Sequence, residues 1–146
     1  MKNKFKYLTV LDVIERPIQF KLYESFTYIE LPSKSFNCEG VEPGTIEFAF
    51  SYNLFCHLSN EAIKEYISSV NKVLSEEGEF VFALSNIDKI IEPNKGNYRL
   101  GQSLPMGHFY QSHETLDLVI DANEWQVLSR DMIPEHRDII VHLKKK

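Results

Sequence analysis

An α/β fold is predicted for this chain, with a mostly parallel sheet, helices on its faces and an antiparallel hairpin at its carboxyl end. Three observations predict it. Residues 45–85 read as strand, helix, strand, in the length expected of a right-handed parallel crossover. Both strands of that unit, TIEFAFS and EFVFALS, are nearly continuous in apolar residues, which is how strands covered on both faces read. Residues 125–132 and 137–143 then form two more strands around Ile133-Pro134-Glu135-His136, and the alternation of Ile139, Val141 and Leu143 suits an antiparallel pair at a sheet edge.

Taken in order, residues 5–13 (FKYLTVLDV) are rich in aromatic and β-branched residues and read as a buried strand ending on an acidic residue. Pro17 interrupts, and residues 18–26 place Ile18, Leu22 and Phe26 on one side of a short helix. Residues 26–31 make a second strand. A surface loop follows, with Pro32, Gly40, Pro43 and Gly44 as its turn residues. Beyond the strand at 45–51, Ser59 or Asn60 caps a helix, Glu61 favours the positive end of its dipole, and Ile63, Ile67, Val70 and Leu74 carry its apolar stripe. Gly78 is the expected stop before the strand at 79–85. Residues 86–111 hold Pro93, Gly96, Gly101, Pro105 and Gly107, the pattern of a long lid or binding loop with at most one short helix. Ser112-His113-Glu114 opens a last helix, closed near Asn123.

Composition narrows the functional classes. A chain of 146 residues with 43% hydrophobic and 25% charged residues suits one globular domain, residues 1–146, and excludes a disordered tail or a disulfide scaffold. The net charge of -5 repels phosphate backbones, so nucleic acid is not an expected partner, whereas a small molecule is. No apolar stretch is long enough for a membrane span and the amino terminus lacks a signal-peptide core, so a cytoplasmic location is expected. Cys38 and Cys56 do not form a CxxC pair or a zinc knuckle, and buried, reduced thiols are the expectation.

The segment TIEFAFSYNLFCHLS, the helix after it and VNKVLSEEGEFVFALS together resemble the second half of a class I S-adenosylmethionine-dependent methyltransferase. In that family a fourth strand runs into a loop ending in His-Leu, then a helix, a turn and a fifth strand. Phe55-Cys56-His57-Leu58-Ser59 is similar to bacterial small-molecule and sugar O-methyltransferases, and residues 112–143 fit the family's closing helix and hairpin. The resemblance covers residues 45–143 and implies a truncated Rossmann-like methyltransferase fold. It further implies methyl transfer from S-adenosylmethionine to an oxygen of a small-molecule acceptor, such as a sugar. Ser51, Tyr52 and Asn53 would face the methionine part of the cofactor, at the carboxyl end of the fourth strand. His57 would be the general base, since imidazole suits deprotonation of a hydroxyl near neutral pH. Its alternative role is to cap or pack at the helix start.

Residues 1–44 diverge from the family. No GxGxG occurs in the sequence, although the family uses such a turn to bring backbone close to the cofactor. Either residues 8–12 are the second strand, with the first and its loop absent, or residues 10–13 are the first strand, followed by Ile14-Glu15-Arg16-Pro17 where glycines belong. The first alignment makes Asp12 or Glu15 the acid for the ribose hydroxyls and lets residues 26–31 fall as the third strand. Weak or absent cofactor binding follows from either. The alternative function is a degenerate methyltransferase domain acting as a binding or dimerisation module, as a homodimer or with a complementing amino-terminal segment that pairs the open sheet.

Arg99, His108 and Tyr110 in the 86–111 region are candidate acceptor contacts, Arg99 being suited to a carboxylate or phosphate. His57, His108 and His113 lack the spacing that defines a metal site, and no metal is expected. Asp117 and Asp121 read as a polar helix face. His136 and His142 need no function beyond the hairpin, and Trp125 is expected to anchor the core.

Overall fold

The computed structural model describes residues 8–12, 26–30, 37–86, 89, 111–136 and 138–146. The proposed helix at 18–26 falls outside these residues except for Phe26, as does the loop between Lys89 and Gln111. The described elements are β1 (Leu8–Asp12), β2 (Phe26–Glu30), β3 (Ile46–Ser51), a 3-10 turn (Phe55–His57), α1 (Asn60–Val73), β4 (Leu74–Ser85), α2 (His113–Val119), β5 (Trp125–Ser129) and β6 (Asp138–Lys145). They form two sheets. β1 and β2 are parallel, in register from Leu8↔Phe26 to Asp12↔Glu30. The other four strands run in the order β3-β4-β6-β5.

The four-stranded sheet is mixed rather than mostly parallel. β3 and β4 are parallel, as the crossover pattern requires, but β6 lies antiparallel to both β4 and β5. The last strand therefore enters the sheet interior, and β5 takes the edge. Ile139, Val141 and Leu143 of β6 are wholly buried because β6 has a neighbour on each side. β5 ends at Ser129, short of the expected Met132. A register shift between Val127 and Ser129 interrupts the alternation there, and a bulge of this kind bends the strand out of the ladder.

One face of this sheet makes the core. Phe80, Phe82 and Leu84 alternate toward it from β4, and they share a single apolar cluster with Ile63, Ile67 and Val70 of α1, Leu116 and Val119 of α2, and Trp125. The opposite face is mixed and partly open, with Phe48 and Phe50 exposed on β3 and His142 Nε2 2.9 Å from Glu79 Oε2. The two described helices pack on this one face, and the helix expected at 18–26 lies outside the described residues. β3 departs from its expected burial. Its apolar run reads as fully buried, yet Phe50 is 65% and Phe48 42% exposed, because β3 ends the strand order and only Ile46 and Ala49 of its apolar residues pack on the core.

Ser59 is the cap of α1, its Oγ accepting from Ala62 N, and Glu61 sits in the first turn. Backbone and Ser59 hydrogen bonds hold the Glu61 carboxyl below its ordinary value. Gly78 does not stop the helix. Val73 is the last helical residue, Leu74 is already extended and pairs with Ile46, and the next pair is Phe48↔Glu79. Two residues of β3 are therefore spanned by five of β4, and the surplus turns the chain from helix into strand. Gly78 closes that bulge: a Cβ there would lie 2.9 Å from Leu74 Cβ and 3.0 Å from the Ser75 carbonyl oxygen. Lys144 pairs with Glu77 on the outside of it, which lowers the Glu77 carboxyl and raises the Lys144 ammonium.

α2 begins as expected, with Ser112 N donating to Thr115 Oγ1 at 3.2 Å, but it ends at Val119 rather than near Asn123. The stop comes from Asp121, whose Oδ1 accepts from Asn123 N at 2.8 Å and folds the chain into a turn before β5. Asp117 pairs with Arg130 across the surface, which lowers its carboxyl. Cys38 and Cys56 are buried, and neither is in a disulfide. Cys38 N donates to Ser69 Oγ at 2.8 Å, and burial pushes the Cys38 thiol up. Among the described residues no helix is long and apolar enough to cross a membrane.

β1 packs close to this body, with Leu11 against the core cluster and Ile29 of β2 beneath Gly40. Among the described residues, however, β1 and β3 are not hydrogen-bonded neighbours. In doubly wound sheets the first strand pairs with the fourth, at the point where strand order reverses.

Two predictions follow from the packing. Gly78→Ala lowers unfolding free energy in urea by about 1–3 kcal/mol, because rigid neighbours rather than flexible side-chain tips meet the new methyl. Iodoacetamide at pH 8 leaves Cys38 unmodified in the native chain and labels it after denaturation, as peptide mapping by mass spectrometry will read.

Candidate functional site

The carboxyl end of β3 gathers the predicted residues. Ser51 is the last residue of the strand and pairs in register with Phe82. Its Oγ is buried with no hydrogen-bond partner among the described residues. A buried hydroxyl without a partner is costly, so this atom is a ready acceptor or donor for a polar ligand. Tyr52 and Asn53 follow directly and are exposed. Asn53 takes φ 58°, a left-handed conformation that turns the chain sharply at the strand end. Its Oδ1 accepts from Cys56 Sγ at 3.7 Å, which ties the turn to the segment that comes next.

Phe55 and Cys56 pin that segment. Both are buried, and the Phe55 ring lies 5.3 Å from that of Phe82 and 6.3 Å from that of Phe80. His57, the last residue of the 3-10 turn, is exposed. Its N–H donates to the Leu54 carbonyl at 2.9 Å. The capping role considered for it belongs to Ser59 instead. His57 is thus held by its backbone five residues beyond Tyr52, on the loop that leaves the carboxyl end of the sheet.

Asp12 is the last residue of β1, at the carboxyl end of the β1–β2 pair and in register with Glu30. Arg99, His108 and Tyr110 lie outside the described residues. Among the described residues, no three His, Cys, Asp or Glu side chains come together as a metal site.

A residue that the sequence reading gave no role joins the group. His136, in the turn before β6, has Nε2 3.4 Å from Tyr52 Oη, and the two rings meet edge to face at 6.0 Å. Asp138 N donates to His136 Nδ1 at 3.0 Å. Tyr52 also lies parallel to Phe50, the ring planes 5° apart and the centroids 6.4 Å apart. A second polar group was likewise missed. Beyond β4, Gln111 N donates to the Ser85 carbonyl at 2.9 Å and Thr115 Oγ1 donates to Gln111 Oε1 at 3.2 Å, all within the interior. It seals the end of β4 against the start of α2. Gln111 Nε2 has no partner among the described residues.

No protein-family profile matches the chain, and no curated protein matches it. Solved structures do. The chain is similar to the N-methyltransferase NodS of Bradyrhizobium japonicum, bound to S-adenosylhomocysteine, at TM-score 0.61 and 13% identity over 96% of this chain and 67% of that one. It is similar to an S-adenosylmethionine-dependent methyltransferase of Methanosarcina mazei, at TM-score 0.66 and 8% identity over 94% and 81%. A protein of Nostoc punctiforme assigned as an O-methyltransferase matches at TM-score 0.51 and 14% identity, over 83% of this chain and 37% of that one. These likenesses define the class of architecture: a class I S-adenosylmethionine-dependent methyltransferase-like fold.

The Asn53 geometry yields a prediction. Asn53→Gly leaves the thermal midpoint nearly unchanged, whereas Asn53→Val lowers stability by about 1–2 kcal/mol in denaturant titration, because a β-branched side chain strains at positive φ.

Proposed function

We propose that this chain binds S-adenosylmethionine at the carboxyl end of β3 and transfers its methyl group to an oxygen of a small molecule. The observation that carries the reading is the buried, unpartnered Ser51 Oγ at the strand end where this architecture takes its ligands, followed at once by Tyr52 and Asn53. The neighbouring structures are S-adenosylmethionine-dependent methyltransferases of both nitrogen and oxygen. The choice of oxygen rests on the resemblance around Phe55-Cys56-His57-Leu58-Ser59.

The cofactor, when bound, supplies a methyl group already activated on sulfonium. The protein then has to hold the acceptor in line and remove a proton from it. Ser51, Asn53 and Asp12 are the residues proposed to hold polar groups of the cofactor, and Tyr52 lines the same position. His57 is proposed to take the proton from the acceptor hydroxyl. Arg99, His108 and Tyr110 are proposed acceptor contacts.

A second reading has an observation of its own. The sequence holds no GxGxG, and among the described residues β1 and β3 are not paired. A domain of this kind would serve as a binding module, completed by a second copy or by an amino-terminal segment that supplies the strand between them. Calorimetric titration with S-adenosylmethionine and S-adenosylhomocysteine, read beside the mass in solution, separates the two. Saturable micromolar binding, weakened about tenfold by Ser51→Ala through loss of one hydrogen bond to a charged group, is the expected result. No heat at millimolar ligand together with a stable dimer favours the module.

A further inference from the structure

We propose that Phe50, Tyr52 and His136 form the acceptor platform of this site, and that it takes a planar aromatic molecule carrying an oxygen hydrogen-bond acceptor. The proposal rests on the reading of the β3 end as a methyl-transfer site and names the acceptor class that the site's own side chains recognise.

The hydrogen bonding of His136 sets its tautomer. Nδ1 accepts from Asp138 N at 3.0 Å, while the Asp138 Oδ2 carboxylate oxygen lies 4.0 Å from the same nitrogen, beyond hydrogen-bond reach. A neutral ring whose Nδ1 lone pair is used in this way carries its proton on Nε2. Nε2–H then points to Tyr52 Oη, 3.4 Å away, and donates to it. The phenol oxygen is an acceptor in that contact, so its own O–H is directed elsewhere. Tyr52 is 49% exposed, and this O–H is therefore offered outward as a donor already oriented by its neighbour. A ligand that meets it must bring an acceptor oxygen.

Ring geometry supplies the shape. Phe50 lies in β3 and Tyr52 directly follows its last residue, both are solvent-exposed, and their ring planes differ by 5°. A flat ligand ring that stacks on the exposed face of either one lies parallel to both. Phe50, 65% exposed, brings no polar atom. A polyhydroxylated ring would leave most of its hydroxyls against phenylalanine, whereas a planar aromatic with one acceptor oxygen matches one oriented donor and two parallel rings.

His136 is a positioning residue in this scheme and acts only through Tyr52. The test uses 7-hydroxycoumarin, a planar fluorescent aromatic with a carbonyl oxygen, followed by anisotropy on the full chain with and without S-adenosylhomocysteine. Saturable binding is expected, weakened about fivefold by Tyr52→Phe, which removes the donor and keeps the ring. Phe50→Ala weakens it about three- to tenfold. His136→Ala weakens binding in the native background and has no further effect in the Tyr52→Phe background, a non-additivity that a structural role of His136 would not produce. Unchanged affinity in Tyr52→Phe, additive losses in the double variant, or displacement of the dye by methyl glucoside at lower concentration than by unlabelled coumarin overturns the proposal. Absence of coumarin binding while S-adenosylhomocysteine still binds overturns the platform alone. Coumarin binding without any S-adenosylhomocysteine binding leaves the platform standing and removes the methyl-transfer reading.

Discussion

The candidate site depends on one buried contact, the insertion of Phe55 against Phe80 and Phe82. The segment from Tyr52 to Leu58 has no strand to pair with and only one turn of 3-10 helix of its own, so its position must come from tertiary packing. Phe55 is 2% exposed, and burial of such a ring contributes about 1.5–3 kcal/mol. On one side of it stand Tyr52 and Asn53, held by β3 and the left-handed turn. On the other stand His57 and the Ser59 cap of α1. A loop anchored in its middle and at both ends keeps its polar residues in place without burying them.

That anchor works because β4 is itself immobile in the sheet. It is bounded by β3 on one edge and β6 on the other, and Phe80 and Phe82 project from it into a cluster completed by Trp125. The late entry of β6 beside β4 has a further consequence. It brings the turn before β6, and with it His136, to the same end of the sheet as the close of β3. Tyr52 and His136, 84 residues apart, meet because a strand made last is inserted in the middle.

Much of this was legible from the residues. The crossover at 45–85, the Ser59 cap, the stripe on α1, the start of α2 and the core role of Trp125 all follow from local pattern, because capping and helical periodicity depend on near neighbours. The misreadings come from ambiguity in the same signals. An apolar run such as TIEFAFS reads alike whether both faces are covered or one is exposed, and only the strand order decides. Gly78 carried a true glycine signal with two physical meanings, and the close approach to Leu74 rather than a helix end is the one realised. For His136 no local signal existed at all. Its partner is fixed by topology, and a histidine in a Pro-containing turn looks the same with or without one.

The tautomer of His136 also bears on which histidine does the proposed proton transfer. A general base needs a lone pair aimed at the proton it removes. In His136, Nδ1 is occupied by the Asp138 N–H and Nε2 holds the proton that Tyr52 accepts, so the ring is committed as a donor. For it to act as a base, the backbone contact to Asp138 would have to break first. His57 stands on the other side of the Phe55 anchor, its backbone N–H donating to the Leu54 carbonyl. While the Asp138 contact holds, His136 acts as a donor toward Tyr52, and the proposed proton transfer stays with His57.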